Sequence, residues 1–181
     1  AGDASSVLAL NAIAGTPGNP EPDMATEPLV KSHLEAGKDL WVLHGSSAAF
    51  WPWAWWRELM RLRWVRGEDP DGQPASCHPI VPFTLEPTEA GRAAVPGIST
   101  CAVPEDELYI NLEDKGGYEA WMSVEYDGKS WPQAYRYRSP WNGWVCGWIP
   151  GHREEAIRSE GMTQTLRMLA SAWLKASGTE R

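Results

Sequence analysis

The sequence lacks several features that would disclose a function. Its three cysteines, Cys77, Cys101 and Cys146, form no CxxC pair and are odd in number, so neither a zinc ribbon nor a disulfide framework is indicated. The longest apolar run, residues 48–56, contains Pro52 and falls short of the roughly 20 residues that span a bilayer. We therefore expect no membrane association, and the unpaired thiols favour a cytoplasmic location.

Positive charge is also scarce. Sixteen Lys and Arg against 24 Asp and Glu give a net charge of −8. This balance opposes non-specific attraction to nucleic acid and to anionic membranes, and it favours neutral or basic partners. With 43 % hydrophobic residues, the chain has the composition of a globular protein.

Motifs for catalysis and metal binding are missing too. The four histidines, at positions 33, 44, 78 and 152, form no HxxxH or HExxH pair. Cys77-His78 is a dipeptide whose neighbouring side chains point apart, out of hydrogen-bond reach. The sequence thus predicts no catalytic residue, cofactor or metal ligand, and leaves open whether cysteines and histidines assemble a metal site in the fold.

Tryptophan, in contrast, is abundant, and five of the twelve lie within residues 50–66. At 100° per residue, Trp53, Trp56 and Met60 share one side of a helix, and Arg57 and Arg61 share the opposite side. The apolar arc of this helix is too wide to be covered by a single neighbouring helix or sheet. We expect N-terminal helices to cover one flank, and either the C-terminal domain or a partner chain to cover the other.

Two further helices are expected before this segment. Apolar residues in 5–14 indicate a short helix that ends at Gly15, and residues 16–23 form a Pro- and Gly-rich arm. Thr26 can cap a second helix, with Pro28 in its first turn and Gly37 after its end.

Beyond the Trp-rich helix the pattern becomes helix, wing, helix. Leu59 and Val65 precede a loop with Asp-Pro and Asp-Gly turns, a strand follows, and Thr88, Gly91 and Arg92 open another helix. In this order, residues 48–95 resemble the winged-helix repressors of the antibiotic-resistance type. The resemblance implies a winged-helix fold in which Arg57, Arg61 and Arg66 could contact DNA phosphates.

The C-terminal part alternates apolar and polar residues. Asp127-Gly128 and Asn142-Gly143 predict hairpin turns in an antiparallel meander over 117–149. A two-residue turn at Asp127-Gly128 pairs Val124 with Trp131, Ala120 with Tyr135 and Glu119 with Arg136. A helical stripe from Met162 to Lys175 predicts a covering helix. We expect it to pack on the sheet face that bears Tyr118, Tyr135 and Trp148.

The predicted fold class is α+β: an N-terminal winged-helix-like helical region followed by an antiparallel β-meander covered by a C-terminal helix. Residues 1–25 hold the first helix and the arm. Residues 26–103 form the winged-helix-like domain, and residues 104–181 form the meander-plus-helix domain.

The function predicted first is a non-enzymatic, protein-binding regulator or inhibitor of the compact acidic kind found in phages and mobile elements. A winged-helix DNA-binding regulator and an enzyme with a fold-assembled site are the alternatives. We expect a protein partner or self-association, and the net charge disfavours DNA. The residues predicted to bind the partner are Trp51, Trp53, Trp55, Arg57, Arg61, Arg66 and Trp121.

Overall fold

The computed structural model describes residues 7–16, 18–67 and 72–179, and side chains as far as residue 176. Its main element is a seven-stranded sheet in the order β1-β2-β9-β8-β7-β4-β5. Strands β1, β2 and β9 are parallel to one another, and the remaining neighbours are antiparallel. The strands are β1 (Val7–Leu10), β2 (Asp39–Leu43), β4 (Ile80–Pro87), β5 (Cys101–Glu107), β7 (Glu119–Tyr126), β8 (Lys129–Arg138) and β9 (Trp144–Trp148).

Short helices and a small second sheet complete the described structure. Strands β3 (Leu62–Arg63) and β6 (Glu113–Asp114) pair with each other. A 3-10 helix, His44–Ala48, follows β2. The α-helices are α1 (Thr26–Glu35), α2 (Ala54–Leu59), α3 (Glu89–Ala94), α4 (Glu154–Arg158) and α5 (Glu160–Thr179). In the described ranges, no helix has the length and apolarity that crossing a membrane requires.

Each face of the large sheet carries its own apolar core. On one face, Leu169 and Trp173 of α5 pack with Trp121, Cys146 and Trp148. On the other face, α1 and the Trp-rich segment cover the sheet, and that core includes Val30, Leu34, Trp53, Trp56, Leu59, Tyr135, Tyr137 and Val145. The Trp-rich segment contacts both neighbours: the Trp55 indole donates to Glu27 of α1, and the Leu59 carbonyl accepts from the Tyr137 hydroxyl of β8.

The predicted winged-helix region is wrong, and with it the predicted fold class. Helix α2 ends at Leu59, because Met60 is extended and Leu62–Arg63 pair with β6. The expected strand after the wing, β4, pairs with β5 and β7 inside the large sheet. Thr88 does cap the next helix, since its hydroxyl accepts a hydrogen bond from the Gly91 N–H at 2.9 Å. That local motif opens a helix that packs on β7 instead of one in a DNA-binding domain.

The N-terminal segment also differs from the prediction. Residues 7–10, expected in a helix, form strand β1 and pair with β2. The earlier residues of that predicted helix, and Pro17 of the arm, lie outside the described ranges. The large sheet takes strands from all three predicted segments, 1–25, 26–103 and 104–181.

The first hairpin of the predicted meander is confirmed. Asp127 and Gly128 both have positive φ, at 53° and 72°, and Val124 pairs with Trp131. Glu119 pairs with Arg136, and the Arg136 Nε lies 2.8 Å from Glu119 Oε2.

The predicted placement of the aromatic rings is wrong. Trp148 lies on the α5 side, but Tyr118 and Tyr135 belong to the core on the opposite face. The strand pairing of β7 and β8 shifts between Ala120 and Ser123. Such a bulge reverses the in-and-out alternation on either side of it, so the turn alone could not fix the face of Tyr135.

A glycine in β9 makes room for one of these rings. A Cβ atom at Gly147 would lie 2.1 Å from the Cζ of Tyr135, which is fully buried. We expect Gly147→Ala to lower the free energy of unfolding by about 1–3 kcal/mol, as overpacked cores do. Urea unfolding measures this. In a Tyr135→Ala background the cost should largely disappear, and an equal cost in both backgrounds would contradict the contact.

Candidate functional site

The carboxyl ends of the three parallel strands meet at one edge of the sheet. Leu43, the last residue of β2, pairs with Trp148, the last residue of β9. His44 follows β2 directly, and residues 149–153 follow β9. In open sheets with parallel strands, crevices beyond such ends commonly bind ligands.

The sheet curls so that its far edge reaches the same place. Glu107 ends β5, and four strands separate β5 from β2 in the sheet order. Nevertheless, Glu107 Oε2 lies 3.8 Å from His44 Nε2. Strands β2 and β5, which are not neighbours in the sheet, thus supply adjacent groups to one site.

His44 is held in a defined orientation. Its backbone has φ 42°, in the left-handed region that residues other than glycine seldom adopt. Its Nδ1 lies 2.9 Å from the carbonyl oxygen of Ile149, which accepts the ring N–H when Nδ1 is protonated. Burial lowers the pKa of the His44 imidazole below its ordinary value. A neutral ring that donates from Nδ1 leaves a lone pair on Nε2, the nitrogen that lies 3.8 Å from Glu107 Oε2.

Three imidazoles surround the Glu107 carboxylate. His152 Nδ1 lies 3.4 Å from Oε2, and His78 Nδ1 lies 3.1 Å from Oε1. The Glu107 side chain is 12 % exposed, whereas those of His78 and His152 are about half exposed. The carboxylate therefore forms the inner wall of the site, and two imidazoles form its outer side.

Asp106 fixes the backbone that carries His152. Its buried carboxylate accepts hydrogen bonds from the backbone N–H groups of Gly151 at 2.8 Å, His152 at 3.0 Å and Arg153 at 2.8 Å. The turn also needs glycine at position 151, where φ is 119°. Asp106 and Glu107, adjacent in β5, thus serve the site in different ways: one positions a loop and the other faces the histidines.

An aromatic cavity opens onto this cluster. It has a volume of about 290 Å³, and its lining includes Trp64, Arg66, His78, Glu107, Tyr109 and His152. The ring centroids of Trp64 and Tyr109 are 4.4 Å apart. The Tyr109 hydroxyl lies 3.4 Å from His44 Nε2. Burial, and then the Glu107 carboxylate, raise the pKa of Tyr109, so its phenol stays a neutral hydrogen-bond donor.

The donor atoms suit a metal ion after a small closure. One ligand atom each from His44, Glu107 and His152 lies within 4.8 Å of the others. Ligands about 2.1 Å from zinc can be at most about 4.2 Å apart, and about 3.4 Å apart in a tetrahedral site. The half-exposed His152 ring can supply this movement, because Asp106 holds only its backbone. Imidazole and carboxylate are both ordinary zinc ligands.

The residues predicted to bind a partner lie elsewhere, with one exception. Trp53 and Trp121 are buried in the cores on opposite faces of the sheet. Trp51, Trp55, Arg57 and Arg61 are half-buried, and Arg66 is exposed and lines the aromatic cavity. Partner binding by these residues stays a prediction.

Sequence reasoning missed the site that the fold assembles. The histidines at 44, 78 and 152 carry no metal-binding spacing, and Glu107 was singled out by no motif. The available signal was positional: His44 directly follows the apolar stretch Leu40–Leu43, and His152 follows Ile149-Pro150-Gly151. Without the parallel pairing of β2 and β9, nothing in the sequence joins these two places.

The chain matches no protein-family model and no curated protein sequence, but its fold is found among solved structures. A protein from Parabacteroides merdae described as ThuA-like has a TM-score of 0.73 and 16 % identity, covering 97 % of this chain and 72 % of that one. A second ThuA-like protein, from Bacteroides uniformis, has a TM-score of 0.63 and 16 % identity, covering 93 % and 68 %. A cytoplasmic protein from Salmonella typhimurium has a TM-score of 0.56 and 11 % identity, covering 95 % and 69 %. At these identities the likeness concerns the fold alone, and it is to the ThuA-like fold and not to winged-helix repressors.

Proposed function

We propose that the protein binds one divalent metal ion, zinc by its ligand types, through His44, Glu107 and His152, as the centre of a hydrolytic site. The observation that carries the proposal is the convergence of these three donors within 4.8 Å at the strand ends. Two imidazoles and one carboxylate form a known ligand set of catalytic zinc, which keeps a fourth position for water. This proposal takes up the enzyme alternative predicted from the sequence.

The surroundings of the ligands support this role. Metal-binding histidines usually donate their second ring N–H to a carbonyl or carboxylate, and Ile149 provides that acceptor for His44. Glu107 is similarly held, because His78 contacts the carboxylate oxygen that faces away from His44 and His152. The groups that would orient the ligands are therefore present in the fold.

The chemistry follows from the groups around the cavity. Zinc held by His44, Glu107 and His152 would supply a water of lowered pKa, and hence a nucleophile, at neutral pH. In ester hydrolysis, the water oxygen bonds to the carbonyl carbon, the bond to the leaving oxygen breaks, and that oxygen gains a proton. Tyr109 can donate a hydrogen bond to the developing oxyanion. His78, half exposed beside Glu107, can donate the proton to the leaving group when protonated.

Zinc titration of metal-free protein tests the proposal. We expect one zinc per chain by calorimetry, and a higher melting temperature at saturation because only the folded chain assembles the site. His44→Ala or Glu107→Gln should weaken binding on the order of 100-fold or more, beyond the 10- to 100-fold effect of outer-shell changes. Zinc-loaded protein should hydrolyse 4-nitrophenyl acetate faster than Glu107→Gln protein does.

Two controls make the test specific. His33 also bonds a backbone carbonyl, with Nε2 2.9 Å from Asp39 O, but it is not in the cluster, so His33→Ala should keep full affinity. Cys77 is an exposed free thiol, and Cys77→Ser shows whether it binds zinc instead. Unchanged zinc affinity in His44→Ala and Glu107→Gln would overturn the proposal.

We propose protein binding as a second candidate function, because one surface of the protein exposes apolar side chains. Met24 and Leu29 are 93 % and 69 % exposed, and Leu29 lies on α1. The indole of Trp55, a predicted partner-binding residue, donates to Glu27 of the same helix at 2.7 Å. Exposed apolar side chains next to a half-buried tryptophan favour a protein contact. A cytoplasmic location, which the three free cysteines favour, belongs to this proposal as well.

A further inference from the structure

A second cavity lies at the same edge of the sheet, on the α5 side. It has a volume of about 450 Å³, within the roughly 300–1,000 Å³ of small-molecule sites. Asn11 after β1, His44 after β2 and Pro150 after β9 line it at the strand ends. We call it the strand-end crevice.

Its walls are mostly apolar and partly aromatic. Trp41 and Trp148 come from β2 and β9, and Met162 and Leu166 come from α5. Trp148 is 4 % exposed and packs in the core, so this wall has a fixed position. Rigid indoles contact flat apolar ligands at a small cost in conformational entropy.

The charge of the lining is one-sided. Arg167 of α5 is exposed and lines the crevice, and no Asp or Glu is among the described residues that line it. The whole chain, in contrast, has 24 acidic and 16 basic residues. A guanidinium at the rim of an apolar cavity without acidic neighbours selects a carboxylate or another anion.

We propose that the strand-end crevice binds a small aromatic carboxylate, with its ring system between the apolar walls and its carboxylate at Arg167. The crevice borders the proposed metal site at His44, whose ring is one of the metal ligands, but it is a separate cavity. The aromatic cavity of that site is lined by His78, Glu107, Tyr109 and His152, and the two cavities share no lining residue. Ligand binding here needs no metal ion.

The test uses naphthalene-2-carboxylate and its uncharged carboxamide as matched probes. Calorimetry in the presence of EDTA removes any contribution from the metal site. We expect the carboxylate to bind one per chain, and the carboxamide to bind about tenfold more weakly, as the loss of a charge-assisted hydrogen bond implies. No heat of binding at millimolar carboxylate would overturn the proposal.

Three variants locate the site. Arg167→Ala should weaken the carboxylate about tenfold and leave the carboxamide unchanged. Arg92→Ala removes an exposed arginine of α3 that is outside the crevice, and it should change neither affinity. Leu166→Trp should fill the crevice and abolish binding of both probes, with thermal unfolding as the check that it folds.

Two results would contradict the placement. Wild-type carboxylate affinity in Arg167→Ala protein, with the carboxamide still about tenfold weaker, would show that Arg167 does not hold the anion. Full binding by folded Leu166→Trp would show that the probes bind elsewhere. Zinc affinity is measured for Arg167→Ala as well. Unchanged zinc affinity would show that a loss of carboxylate binding does not come from damage to the metal site.

Discussion

Replacing Trp53 by alanine is expected to lower the free energy of unfolding by about 3–5 kcal/mol, the usual cost of removing a large buried side chain. Trp53 is 6 % exposed. Its ring stacks on Phe50 with centroids 4.0 Å apart and planes 8° apart. It also packs edge-on to Trp56, so the truncation removes contacts with two other buried rings.

Trp55→Ala is the matched comparison. Trp55 is half-buried and its indole N–H bonds Glu27, so its loss should cost clearly less than that of Trp53. Urea unfolding of both variants, followed by far-UV circular dichroism, measures the difference. Equal and small losses would show that the Trp-rich segment is an exposed surface, and not part of the apolar core.

The wide apolar arc of this segment correctly indicated that it belongs to an apolar core. The predicted helix, however, was too long. The segment shares one apolar core with Val30 and Leu34 of α1 and with Leu40 and Val145 of the sheet; whether these cover its two flanks stays a prediction. The periodicity placed Met60 and Arg61 on the helix, whereas α2 ends at Leu59. Arg63 is then drawn into β3, where its Nε lies 2.5 Å from Glu113 Oε2. The partners of this strand lie 50 residues away in the sequence, so local periodicity alone does not indicate them.

The connections on the two sides of β8 also differ in whether the sequence could predict them. The turn at Asp127-Gly128 is set by residues that accept positive φ, so the sequence predicted both the hairpin and the pair Glu119–Arg136. The connection to β9 spans residues 139–143 and places Trp148 opposite Ala134. A two-residue turn at Asn142-Gly143, as predicted from the sequence, would instead place Tyr137 opposite Trp148. In the observed register Gly147 lies opposite Tyr135, whose ring occupies the space that a Cβ atom at position 147 would need.

The candidate site could not be derived from local patterns at all. His44, Glu107 and His152 come from three separate places in the chain, and only the curl of the sheet and the parallel pairing of β2 with β9 join them. Histidine spacing is informative when one helix or loop supplies the ligands. Here each ligand has its own support: Ile149 for His44, His78 for Glu107 and Asp106 for the backbone of His152.

The second large effect is expected when Asp106 is replaced. Asp106 lines neither cavity, but its carboxylate holds the backbone of residues 151–153. Asp106→Ala removes the acceptor of three backbone N–H groups, those of Gly151, His152 and Arg153. Each buried donor left without a partner costs about 1–3 kcal/mol. Because the loop can relax and some N–H groups can reach water, we expect the free energy of unfolding to fall by about 3 kcal/mol or more.

A merely structural role and a positioning role for Asp106 give different results. If Asp106 positions His152, zinc affinity of the folded Asp106→Ala protein should fall about 10- to 100-fold, as outer-shell changes do, and Asp106→Asn should recover part of it through its one remaining carbonyl acceptor. Glu105→Ala is the matched control, since Glu105 is a half-exposed neighbour that pairs with the Arg153 side chain. It should change stability by less than about 1 kcal/mol, the usual size of a surface ion pair, and leave zinc affinity intact. Wild-type zinc affinity in folded Asp106→Ala protein would show that the loop after β9 places His152 without this carboxylate.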